Sequence, residues 1–158
     1  MRKIILIFTV IALMTSTCYA QKAQKIVVSK SCSKLYAFDS KGDTLCNFVC
    51  SVGMNYGDKQ YEGDKRTPEG EFSISSIEDS RYWTFDFNDG HGQRAGAYGP
   101  FFIRLDTPGW RGIGIHGTCF PELIGTRSSR GCIRLSNENL LVLIDYIEVG
   151  TKVMIEED

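Results

Sequence analysis

Apolar and polar positions alternate with a period of two along most of this chain, in short runs. Ile26-Val27-Val28 opens a strand, and Leu35 to Phe38 and Leu45 to Val52 predict two more, rich in apolar and β-branched residues. Between the last two, Asp39-Ser40-Lys41-Gly42 places Asp at the first turn position and Gly at the fourth, which predicts a hairpin turn. Residues 53–64 are polar and glycine-containing, hence a loop. Thr67-Pro68 marks a turn, and residues 71–77 return to alternation. Gly112-Ile113-Gly114-Ile115 reads as a strand whose glycines permit close backbone approach. One stretch changes period. Leu140, Leu141, Leu143, Ile144 and Ile147 recur at helical spacing after a natural N-cap, Ser136 or Asn137, and Gly150 is expected to end that helix. Residues 79–99 are the least regular. Trp83, Phe85 and Phe87 alternate before a glycine-rich run, and a loop this long is read as a substrate lid, with His91 as solvated surface. The pattern predicts a mainly β fold: two packed, β-sandwich-like sheets with one principal helix.

The 158 residues suffice for one domain with a real core, not two. Arg2-Lys3, the apolar run Ile4 to Leu13 and small residues at Cys18 and Ala20 predict a signal peptide over residues 1–20, leaving a single domain over 21–158. The apolar run is too short for a stable membrane span. Lipidation at Cys18 is the rival reading, disfavoured because Thr15-Ser16-Thr17 make a poor lipoprotein box. The expected destination is the periplasm or cell envelope. Of 18 basic and 19 acidic residues, Arg2 and Lys3 fall in the leader, so the remainder is the more acidic. It has no basic run suited to nucleic acid. A monomer is expected.

Removing Cys18 leaves Cys32, Cys46, Cys50, Cys119 and Cys132, an odd number, so at least one thiol stays free. A three-residue loop at Ser40-Lys41-Gly42 pairs Asp39 with Asp43. Counting outward then sets Cys32 opposite Cys50 in bridging position, whereas a two-residue loop sets Cys32 opposite Ser51. Cys46 and Cys50 lie on the order of 13 Å apart along a strand, too far to share an ion. No metal and no cofactor is expected, because no paired ligand spacing exists.

The chemistry concentrates in Ile115-His116-Gly117-Thr118 and Ser129-Arg130-Gly131-Cys132-Ile133-Arg134-Leu135. A thiol attacks carbonyl carbon once a base removes its proton, and an imidazole is suited to that. These two segments, with Asn137, resemble the signature of the L,D-transpeptidase catalytic domain. Thr67-Pro68-Glu69-Gly70, Tyr98 to Ile103 and Gly150 to Ile155 resemble that family's upstream element, the strand before its histidine and its closing strand. The resemblance covers about residues 25 to 156. It implies a cysteine acyltransferase acting on peptidoglycan stem peptides, with Cys132 as nucleophile and His116 as base, giving a pH limb between 5 and 8. It also implies that the Gly117 carbonyl orients the imidazole and that Arg130 stands where many members carry a second histidine. Backbone amides around Gly131 and Cys132 would cradle the oxyanion. Tyr98 and Arg134 are candidates for substrate binding or for bracing, Arg134 lying on the same strand face as Cys132. The competing outcomes are an L,D-carboxypeptidase, another cysteine peptidase or amidase, and a non-catalytic peptidoglycan-binding domain.

Overall fold

The computed structural model describes residues 21–158, so the signal-peptide and Cys18 readings lie outside the described residues. No described helix is long and apolar enough to cross a membrane. The strands are β1 (Lys25–Ser29), β2 (Lys34–Phe38), β3 (Thr44–Val49), β4 (Val52–Gly53), β5 (Gly70–Asp79), β6 (Thr84–Asp86), β7 (Gln93–Ala95), β8 (Phe101–Asp106), β9 (Gly114–His116), β10 (Arg127–Ser129), β11 (Ile133–Arg134) and β12 (Lys152–Glu156). Among the described residues a single α-helix, α1 (Asn137–Tyr146), joins β11 to β12. Eight strands form one sheet in the order β11-β9-β8-β5-β12-β1-β2-β3, and β10-β4 and β6-β7 form two small ribbons.

The large sheet curls back on itself. Ser51, just beyond the β3 edge, exchanges backbone hydrogen bonds with Arg134 in β11 at the opposite edge: Ser51 N donates at 2.8 Å and Arg134 N at 2.9 Å. The mainly β architecture with one principal helix is the predicted one, and its facing layers are parts of a single curled sheet. Alternation places Ile26, Val28, Leu35, Ala37, Val153 and Ile155 in the core. Leu140, Leu143 and Ile147 join them from α1 and its C-cap, while Leu141 stays half exposed.

Two local expectations are corrected. The helix stops at Tyr146 because Ile147 is already extended (φ −105°, ψ 164°), and Gly150 (φ +94°) instead shapes the turn into β12. The Cys32–Cys50 disulfide does not form; all five described cysteines are free. The turn is as expected, with Asp39 N donating to the Asp43 carbonyl at 3.0 Å. A bulge then shifts the register: Phe38 faces Thr44, but Ala37 faces Cys46 and Lys34 faces Val49. That one-residue slip puts Ser33 against Cys50, whose N–H bonds the Ser33 carbonyl at 2.9 Å. Cys50 is wholly buried and Cys32 is exposed, so the thiols stand on opposite sides.

Candidate active site

His116 ends β9, and Cys132 immediately precedes β11. The two strands run parallel in register, Ile115 beside Ile133 and His116 beside Arg134. Parallel pairing sets the Cys132 loop level with Gly114, and the Cys132 and His116 side chains both line one cleft of about 230 Å³. Its lining includes Lys59, Glu62, Arg111 and Gly112 together with Phe85, Phe87, Tyr98, Arg130 and Arg134.

The imidazole is held on three sides. His116 is 3% exposed, its ring stacks on Phe102 (centroids 5.4 Å, planes 13° apart), and Tyr98 meets it edge-on at 5.1 Å. Its Nδ1 lies 2.6 Å from the Gly117 carbonyl oxygen. A carbonyl only accepts, so Nδ1 carries the proton and Nε2 is the free basic nitrogen. The loop after His116 is tied down in turn. Gly117 N donates to the Tyr98 carbonyl at 2.8 Å, and Thr118 N donates to Asn137 Oδ1 at 2.9 Å. A Cβ at Gly117 would lie 2.9 Å from Gly99 Cα and collide with Asn137 Oδ1, so both glycines are needed for this approach.

The Cys132 loop is wound around Ser129. Ser129 Oγ accepts from Gly131 N at 3.1 Å and donates to the Cys132 carbonyl at 2.6 Å. Gly131 has φ +132° and sits 3.0 Å, measured from a would-be Cβ, from the Arg66 carbonyl; a side chain is excluded on both counts. The Gly131 amide, an expected oxyanion donor, is therefore already engaged by Ser129. Cys132 Sγ is half buried and donates to the Gly112 carbonyl at 3.3 Å.

Burial dominates the electrostatics. It pushes the Cys132 thiol up, opposed by the Gly114 amide and by the positive charges of Arg134, Arg104 and Lys59. It pushes His116 down to about 3, with Arg134 adding repulsion and the Gly117 carbonyl opposing. The resting pair is a neutral thiol and a neutral imidazole. Arg134 is buried, reaches the Ser128 carbonyl through Nη1 at 3.4 Å, and leaves its Nε without a partner among the described residues. Burial also pushes Cys50 up to about 12, which makes it inert packing. His91 lies exposed in the β6–β7 turn.

All the predicted site residues thus gather around one cleft: Cys132, His116, Tyr98, Arg130 and Arg134 in its lining, Gly117 and Gly131 in the backbone behind it. The pattern does not single out Lys59, and it offers Asn137 only as a companion of the signature and a cap candidate. Asn137 carried a signal, an amide side chain beside a cap position, but one that equally fits capping. Lys59 carried none, because a loop brings it to the cleft.

The L,D-transpeptidase catalytic domain profile matches residues 23–155. This chain belongs to the L,D-transpeptidase family. Among curated relatives it is 38% identical over 97 residues to YqjB of Bacillus subtilis, an L,D-transpeptidase by name, covering 60% of this chain and 54% of that protein. It thus spans about half the length of such L,D-transpeptidase relatives. An L,D-transpeptidase from Mycobacterium smegmatis has the same fold at a TM-score of 0.63 and 21% identity, over 85% of this chain and 59% of that one. The helical cell shape determining protein Pgp2 of Campylobacter jejuni aligns at 0.62 and 25% identity, over 89% of this L,D-transpeptidase domain and 49% of that chain.

Proposed function

We propose that the domain is a cell-envelope acyltransferase that uses Cys132 as nucleophile on peptidoglycan stem peptides. The observation that carries this reading is the free Nε2 of a tautomer-locked His116 in the same cleft as the Cys132 thiol. His116 Nε2 takes the Sγ proton as sulfur attacks the carbonyl carbon of the third stem residue. The Cys132 backbone amide, beside the engaged Gly131 amide, donates to the developing oxyanion. Collapse of the tetrahedral intermediate breaks the peptide bond, and the imidazolium returns its proton to the departing terminal D-alanine amine. The thioester carbonyl is then attacked by a side-chain amine of a neighbouring stem, which loses its proton to His116; the C–S bond breaks, Cys132 Sγ takes that proton back from the imidazolium, and the new amide is the cross-link. Arg134 braces the Ser128 carbonyl and lends positive charge to the thiolate. The leader at residues 1–20 directs the domain to the envelope.

The test is product analysis by mass spectrometry on purified muropeptides. Cross-linked dimers and released D-alanine are expected, together with an acyl adduct on the Cys132 peptide. Trimmed stems without dimers would establish carboxypeptidase action instead. In Cys132→Ala both products and adduct vanish with the fold intact; an adduct surviving that substitution would overturn the assignment.

A further inference from the structure

The β6–β7 ribbon forms a sheet of its own, with no ladder to the eight-stranded sheet. Two-stranded ribbons are marginal by themselves, so its position over the site depends on side-chain ties. Two of its aromatics, Phe85 and Phe87, line the Cys132 cleft and pack edge to face at 4.9 Å. The strongest polar tie comes from the nucleophile's own loop. Arg130 Nη2 donates to the Phe87 carbonyl at 2.9 Å, and the same guanidinium lies 5.4 Å from the Phe85 ring centroid. One side chain thus grips both aromatics, and buried Gly131 links it rigidly to Cys132. The remaining ties are aromatic: Phe85 on Tyr98 at 6.0 Å and Phe87 on Phe120 at 5.1 Å, with Arg94 over Phe120 at 5.2 Å.

Together with Met54, Phe120 and Leu123, Phe87 and Arg130 also line a second cavity, of about 210 Å³. Their contact is therefore part of the partition between two spaces that meet at the thiol's loop. Arg134, Arg104 and Lys59 carry the positive charge that opposes burial of the thiol. The direct contacts of Arg130 are with the ribbon, at the Phe87 carbonyl and the Phe85 ring.

We propose that Arg130 is a positioning residue that latches the β6–β7 ribbon as a roof over Cys132 and so sets the width of the cleft. This rests on Cys132 being the nucleophile of the proposed reaction. Opening the latch would widen access to the thiol and merge the two cavities.

The test compares alkylation of Cys132 by iodoacetamide and by its bulky, equally uncharged relative N-(1-pyrenyl)iodoacetamide, read on the Cys132 peptide by mass spectrometry. The shared warhead makes the ratio of the two rates a measure of width alone. Arg130→Met, which keeps the stem and loses the fork, is expected to raise the bulky-to-small ratio about fivefold or more. Arg130→Lys, keeping charge and one donor, should fall between. Thermal melts of both variants check that this exposed position leaves the fold in place. A ratio unchanged or lowered in Arg130→Met, or equal acceleration with both reagents, overturns the latch. The assay needs no stem peptide. Failure of the parent protein on muropeptides would therefore defeat the functional reading while the labelling ratio still judges the latch.

Discussion

Burial of His116 decides where on the pH scale it acts. An exposed histidine would give the limb between pH 5 and 8 expected from the sequence. Enclosed by Phe102 and Tyr98, with Arg134 one strand away, the imidazole is pushed down to about 3. The free enzyme therefore keeps its base unprotonated well into acid. The acid limb of kcat/KM is expected below about pH 5, and a midpoint near the ordinary histidine value would contradict this. His116→Gln should lower kcat/KM by about 10²–10⁴-fold without changing the melting temperature at neutral pH. That Cys132 and His116 belong to one site was legible in the sequence, each a distinctive residue beside a glycine, and both line the same cleft. The direction of the pH shift was not, because it depends on Phe102 and Tyr98 closing around the ring from two other parts of the chain.

Adjacent residues at the start of α1 have separate tasks. Ser136 is the N-cap, its Oγ accepting from Asn139 N at 3.2 Å. Asn137 turns its amide away from the helix and accepts from Thr118 N, next to the carbonyl that orients His116. Ser136→Ala should cost about 1 kcal/mol of stability with activity preserved, the usual loss of a cap. Asn137→Ala leaves a buried N–H unpaired, and should cost about 1–3 kcal/mol. It should also reduce kcat, as the Gly117 carbonyl loses its support; urea unfolding beside steady-state rates separates the two variants. The helix itself was legible from its apolar stripe, since Leu140, Leu143 and Ile147 obey its period. The hairpin register was not. A bulge between Ala37 and Phe38 leaves no mark in a pattern of period two, yet it moves Cys50 to the far side from Cys32.

Acid should unfold the molecule through its buried polar contacts. Asp64 is surrounded by Lys59 Nζ at 2.8 Å and by the amides of Gln60 at 2.7 Å and Arg66 at 3.0 Å. Burial would raise its carboxyl, but these donors outweigh it and hold the group well below the usual carboxylate range. A folded-state value below the unfolded one means the stabilisation is complete above the unfolded value, 3.8, and is lost as pH falls through the folded one. His116 acts in the same direction at milder pH: from 6.5 down to about 3 the unfolded chain takes up a proton that the native state resists. The melting temperature should thus decline below about pH 6.5 and more steeply below about pH 4. Asp64→Asn should lower it at neutral pH and flatten the steep part; a curve parallel to that of the parent protein would rule Asp64 out as the source. At this scale the mainly β class followed from strand length and alternation, whereas the closure of the sheet through Ser51 and Arg134 joins residues far apart in sequence that no local pattern couples.

The place of β12 in the sheet has a temporal consequence. It lies between β5 and β1, parallel to β1 from Lys25↔Lys152 to Ser29↔Glu156 and antiparallel to β5. Until residues 152–156 have been synthesised, the β1–β2–β3 layer and the β5–β8–β9–β11 layer can meet only through the Ser51–Arg134 bridge and the β4–β10 ribbon, without the central strand between β5 and β1. The long separation between β1 and its partner makes this a slow, late closure. A nascent chain therefore carries Cys132 and His116 before it has the completed scaffold that holds them, and the sheet around the cleft is whole only once β12 is in place.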